Sequence, residues 1–95
     1  MNIDQHAADL FAENINMMVP NYLMASYAYY KQDDPIMSDS FFDSMSQTMI
    51  ACWDNIDHYH KHLINLEDLK AGSYLGEYPS RVEGGLKSLR KQYGL

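Results

Sequence analysis

The sequence predicts an all-α protein of four to five helices in one domain, residues 1–95, and three observations carry the prediction. Strand formers are scarce: the chain has two valines against seven methionines, with leucine and alanine abundant, and that balance favours helix over sheet. Apolar residues recur three and four positions apart rather than alternately, the period of a helix with one buried face. Proline and glycine fall between those periodic stretches, where a helical chain would turn. At 95 residues, 46% hydrophobic and 21% charged, the chain is large enough for a single modest core and too apolar to be disordered.

Ile3, Ala7, Leu10, Phe11, Ile15 and Met18 keep three-to-four spacing, so residues 3–18 read as an amphipathic helix. Pro20 ends or kinks it, because proline has no N–H for the i−4 bond and clashes with the preceding turn. A second helix follows to about Gln32, with Leu23, Met24, Tyr27 and Tyr30 on its faces. Asp33-Asp34-Pro35 stops it, since the residue before a proline is pushed out of the helical region. The two helices around that stop form a hairpin over 21–53.

Ser38 suits the N-cap of the next helix, and Asp39 in its first turn meets the positive end of the dipole. From there Phe42, Met45, Met49, Cys52, Ile56, Tyr59, Leu63 and Leu66 hold a 3-4-3-4 spacing, with no glycine or proline before Gly72. That pattern predicts one long central helix over 39–70, whose far half packs against another subunit. The plainer reading is a break near Asp54-Asn55 into two antiparallel helices. Gly72 reads as a left-handed terminator, and the loop to Pro79 as tucking back through Tyr74, Leu75 and Tyr78. Ser80 and Glu83 form a capping box that opens a last helix to about Tyr93. Gly84 and Gly85 inside it each cost roughly 1 kcal/mol against alanine, which makes sense where something approaches the backbone closely.

Charge narrows the partners. The net charge is −6, but residues 1–79 carry twelve acids against three lysines while 80–95 carry Arg81, Lys87, Arg90 and Lys91 against Glu83. An acidic body repels a phosphate backbone, so no direct nucleic-acid binding is expected, and the basic tail reads as cations complementing a helix C-terminus. The lone Cys52 excludes an internal disulfide and fits a reducing compartment. The acidic start has no basic n-region, and the longest uncharged run, Asn14 to Tyr30, is too polar and too short to span a membrane. The expectation is a cytoplasmic protein without a signal peptide and without membrane contact, assembling as a homo-oligomer.

Tyr27 to Asp43 reads Y-A-Y-Y-K-Q-D-D-P-I-M-S-D-S-F-F-D. This run resembles, without a gap, the N-terminal helical segment of bacterial NAD-dependent DNA ligases, where Y-x-Y-Y/H-x-x-D-x-P-x-x-S/P-D-x-x-Y-D recurs. The resemblance covers about a fifth of the chain and implies a helical pair that grips the nicotinamide mononucleotide half of NAD. Tyr29, Tyr30, Asp39, Phe42 and Asp43 fall on its nicotinamide-facing positions, and Asp33 and Pro35 on its turn. Two positions depart from the pattern: Phe42 replaces the usual Tyr and loses its phenolic hydrogen bond, and Ser26 stands where His is frequent. Pro79 to Gly85 resembles the P-T-x-R-V-G-G run of the same enzymes but is too short to count alone.

Nothing else of a ligase is present. No lysine stands in a K-x-D-G nucleophile motif, and a nucleotidyltransferase core, OB-fold, zinc module and helix-hairpin-helix repeats do not fit in this length. The resemblance therefore implies a non-catalytic module that binds NAD or nicotinamide mononucleotide, or that serves a ligase core on another chain. Small genomes such as those of bacteriophages carry detached pieces of this kind. The alternative is a structural or protein-interaction module that kept the hairpin and lost the ligand.

The chemistry of the hairpin fits either. Nicotinamide in NAD is a flat cation, which aromatic faces bind by stacking and cation–π attraction. Asp39 and Asp43, at i and i+4, share a helical face and suit ribose hydroxyls or a carboxamide. Yet Tyr and Phe at helical spacing equally serve a core, and acids at a helix start equally serve the dipole. A second cluster, Asp54, Asp57, His58, His60 and His62, places Asp54, His58 and His62 on one face if the helix is continuous. That spacing can chelate a divalent transition metal, but no cysteine is in register and a solvated face explains it as well. No metal is expected, and these three are the weak candidates. Serines 38, 40, 44 and 46 lack a neighbouring base, and no Gly-rich phosphate loop occurs.

Overall fold

The computed structural model describes residues 2–72 and 77–95. Among them it has five α-helices and no strand: α1 (Asp4–Glu13), α2 (Met18–Tyr30), α3 (Asp39–Ala51), the short α4 (Leu66–Lys70) and α5 (Ser80–Tyr93). The all-α prediction holds. No helix of the described residues is long and apolar enough to cross a membrane.

The central element is α2, not the long helix that the 3-4-3-4 spacing predicted. Met18, Val19, Asn21, Tyr22, Leu23, Ala25, Ser26 and Ala28 are all buried, so α2 is covered nearly all round, as a core helix must be. The buried Asn21 is satisfied locally, its side-chain amide donating to the Met17 carbonyl at 2.9 Å. α3 and α5 pack on α2, contributing Met45, Met49, Val82 and Leu86 to one core with Ile3, Ala7, Ile36 and Ile56.

The first helix ends earlier than expected. Asn14 is extended (φ −151°, ψ 101°) and its side chain accepts from the Asn16 N–H at 3.1 Å. That local bond competes with the helix ladder and starts a 3-10 turn, Ile15–Met17, which runs into α2. Pro20 therefore sits in the first turn of α2, where the missing N–H has no helical partner to lose.

The predicted helix over 39–70 stops at Ala51. Cys52 leaves helical geometry (φ −108°, ψ 15°), 3-10 turns follow at Trp53–Asn55 and Lys61–Leu63, and Ile56 is extended and buried between them. The intervening Asp, Asn and His residues are weak helix formers whose side chains bond nearby backbone. Here His58 Nδ1 accepts the His60 N–H at 3.0 Å and His62 Nδ1 lies 2.9 Å from the Tyr59 carbonyl, while the distant Asn16 side chain accepts the Asp57 N–H at 2.8 Å. Tyr59, a core position of the supposed seam, is 82% exposed. The expectation of an oligomer rested on that continuous seam, and its break removes the premise.

Other boundaries follow local chemistry. Ser38 caps α3, its Oγ accepting from the Phe41 N–H at 3.2 Å. Gly72 terminates α4 in the left-handed region (φ 76°) as expected. The capping box at Ser80 does not form. Pro79 is the N-cap of α5 with no side-chain bond, Ser80 lies inside the helix, and the Glu83 carboxylate instead accepts from Tyr27 Oη at 2.5 Å. A Cβ on Gly85 would sit 3.2 Å from Met24 Sδ, so that glycine lets α5 close on α2, whereas one on Gly84 would meet nothing within 4 Å. Tyr78 packs edge-on to Tyr27 and is 2.6 Å from Ser26 Oγ, as the tucked-back loop requires; Tyr74 and Leu75 lie outside the described residues.

A candidate ligand cleft between two helix ends

The hairpin is closed by a loop held from two sides. α2 ends at Tyr30, and Asp33 takes the left-handed conformation (φ 51°), letting the Asp34 N–H donate to the Ala28 carbonyl at 3.0 Å. That bond satisfies one of the carbonyls a helix end leaves open. On one side, the start of α1 fastens the loop: Ile3 N–H donates to Ile36 O at 2.8 Å. Asp4 accepts from the Ser38 N–H at 3.0 Å and from the Ser38 hydroxyl at 2.6 Å. On the other side, Arg90 of α5 reaches the same loop.

Between the end of α2, this loop and the start of α3 lies a cleft of about 210 Å³, lined by Ala25, Tyr29, Tyr30, Pro35, Met37, Asp39, Phe42 and Gly72. Tyr29 and Tyr30 are 50% and 48% exposed, with rings edge-to-face at 5.0 Å and 85°. Large aromatic faces left half in solvent, on a helix otherwise buried, are available to a ligand. Phe42 stacks on the buried Tyr22 at 5.3 Å and 22°, so its ring serves the core and the cleft wall together. Asp39 is the one charged group in the lining, and no lysine, arginine or histidine joins it among the described residues.

Four of the five residues assigned from the sequence thus line one cleft, and Asp43 does not. Asp43 stands exposed on α3, one turn beyond Asp39. An i, i+4 spacing carries a residue forward along the axis by about 6 Å, enough to take it past the mouth. Ala25, Met37 and Gly72 were not anticipated. Ala25 is one turn before Tyr29 on the same face, so its small side chain as a floor was legible in the spacing. Gly72 reaches the cleft only because α4 packs on α3, a tertiary contact with no local signal.

The second cluster comes apart with the helix that was to carry it. Asp54 is exposed in the turn Trp53–Asn55. His62 is exposed too, its Nδ1 held 2.9 Å from the Tyr59 carbonyl, and the Nδ1 of His58 is already taken by the His60 N–H. His6 is engaged elsewhere, its Nδ1 2.7 Å from Tyr93 Oη and its ring tilted at 45° to that of Tyr93. Among the described residues no three His, Cys, Asp or Glu side chains are grouped to hold a metal ion. A wider hollow of about 540 Å³ lies against Tyr59, His60, Pro79, Ser80 and Arg81. It is open to solvent and contains none of the residues expected to bind.

Perturbed titrations also lie away from the cleft. The Tyr27 phenol is raised, chiefly by donating to the Glu83 carboxylate, and Tyr78 is raised by burial. His58 is lowered by burial, with His60 adding to it and Asp57 opposing. Tyr27 and Tyr78 tie α2 to the start of α5 and the residues before it, and His58 braces the turn that follows α3. Compared with known proteins, the chain matches no family model, no curated protein and no solved structure.

Proposed function

We propose that this protein is a non-catalytic binding module whose cleft takes the nicotinamide end of nicotinamide mononucleotide or NAD. The observation that carries the reading is the convergence of Tyr29, Tyr30, Asp39 and Phe42 on one cleft, from two helices and across a loop. These are residue types suited to a flat cation: aromatic faces for stacking and a carboxylate for its charge or its ribose hydroxyls. The cleft is below the range of about 300–1,000 Å³ usual for drug-sized ligands, so it suits one ring and its sugar rather than a whole dinucleotide. With no cation in the lining, the phosphate is left to solvent. The resemblance to the ligase segment supports the same ligand, and a ligase core on another chain is the partner it implies.

Titration calorimetry tests the reading. Nicotinamide mononucleotide is expected to bind more tightly than adenosine monophosphate, and nicotinamide riboside at least as tightly as the mononucleotide, because charge on the ring rather than phosphate is recognised. Asp39→Asn is expected to weaken binding and Asp43→Ala to leave it unchanged. No heat with any nicotinamide compound at millimolar concentration leaves the protein-interaction reading in place. The partner version is tested separately, by mixing the protein with a ligase core that lacks its own N-terminal segment. Unrestored self-adenylation at every ratio rejects it.

A further inference from the structure

We propose that Arg90, on the last helix, is the positioning residue of the cleft, holding the Gln32–Pro35 loop in the conformation that gives the cleft its wall. The proposal rests on the reading of the cleft as a nicotinamide site. Every guanidinium nitrogen is committed to this one loop. Nε and one terminal nitrogen donate to Gln32 Oε1 at 3.2 and 2.9 Å. The same terminal nitrogen donates to the Asp34 carbonyl, and the other is 3.2 Å from the Asp34 carboxylate. The Arg90 side chain is 15% exposed, whereas that of Asp34 is 70% exposed, so of the two the arginine is the one packed into the fold.

The loop needs such a hold. Asp33 sits at φ 51°, a conformation that costs a side-chain-bearing residue energy and that glycine adopts freely. Left-handed Asp33 is flanked by the two residues that Arg90 grips, and Pro35, next in the chain, lines the cleft. A rigid planar fork fixes two carbonyl oxygens and a carboxylate at set positions, whereas an ammonium is a compact point charge on a flexible stem and fixes none of them in place. Arg90 therefore does more than offset the dipole of α5. It makes the cleft depend on the docking of a helix that contributes no residue to its lining.

The test uses the full chain and two independent readouts. In Arg90→Lys, the Asp34 amide, bonded to Ala28 O, is expected to exchange with solvent about tenfold faster, while amides of Tyr22 and Leu23 exchange as before. Nicotinamide mononucleotide is expected to bind about tenfold more weakly. Adding Asp33→Gly to Arg90→Lys is expected to recover part of that affinity, because the left-handed turn then needs less support. Unchanged exchange at Asp34 in Arg90→Lys overturns the proposal, whatever happens to binding. Weakened binding with unchanged exchange means that Arg90 acts on the ligand directly, which also overturns it. Faster exchange in a protein whose wild type binds no nicotinamide compound upholds the clamp and rejects the nicotinamide reading alone.

Discussion

Spacing and turn residues predict the stretch from Tyr27 to Asp43 and the stretch from Cys52 to Asn65 alike, with opposite outcomes. In the first, the punctuation agrees with the periodicity. Asp33 and Pro35 fall where α2 has just ended, Ser38 supplies the cap of α3, and Ile36 between them is fully buried. In the second, apolar residues at 3-4-3-4 spacing continue past Cys52, but the residues between them favour local side-chain-to-backbone bonds, and the helix gives way to 3-10 turns. Periodicity says which residues want the core. It does not say that one helix takes them there, and Ile56 reaches the core on extended backbone.

The largest test of this contrast is Ile36→Ala. Its side chain is 0% exposed at the centre of the loop that both α1 and α5 grip, and an isoleucine-to-alanine change in a core costs about 2–5 kcal/mol. A chain this small has only about 5–15 kcal/mol in total, so a marked loss in a denaturant titration is expected. A cost below 1 kcal/mol would mean that the loop is not part of the core.

Ser38→Ala comes next. The hydroxyl both caps α3 and donates to Asp4, and losing an N-cap costs about 1 kcal/mol. With the Asp4 bond lost as well, the expected cost is about 1–2 kcal/mol. A double-mutant cycle with Asp4→Ala should show coupling between the two; strict additivity would mean that the bond from the Ser38 hydroxyl to Asp4 contributes nothing. Tyr59→Ala should do far less, within about 0.5 kcal/mol as for other surface changes. A core-sized loss there would restore the continuous helix.

How much was legible can be read from individual residues. The fold class, the hairpin, the Ser38 cap, the Gly72 terminator and the Tyr29–Tyr30–Asp39–Phe42 set all follow from short-range signals: spacing, turn residues and one motif. What the sequence hid is tertiary, with one local exception. Asn14 outweighs the apolar run on either side of it because its side chain bonds the backbone two residues on. Glu83 pairs with Tyr27, 56 residues away, instead of capping its own helix. Arg90 looked like a helix-end cation and is a clamp on a loop nearly sixty positions earlier. Asp43 shares its face with Asp39 and still misses the cleft, because a shared face does not fix height along the axis.

The smallest expected effect is a pH dependence confined to the second stretch. His58 Nδ1 accepts the His60 N–H, so the ring is needed in its neutral form, and its pKa is lowered below the ordinary 6.5, first by burial and then by His60, against the opposing Asp57. A lowered folded value means that the unfolded chain takes up the proton first on acidification. Between the folded value and 6.5 the unfolded state binds more protons, so stability rises with pH through that window. The contribution is complete above pH 6.5 and declines as the pH falls below it. His58→Asn keeps an acceptor for the His60 N–H and removes the titration. Thermal denaturation of both proteins at pH 7.5 and pH 5 should therefore show the wild type losing more stability than the variant on acidification. Hydrogen exchange should place the excess loss in the amides near His60 and spare Asp34. Equal losses in the two proteins would mean that His58 does not hold the turn, and an effect reaching Asp34 would mean that the two stretches open together.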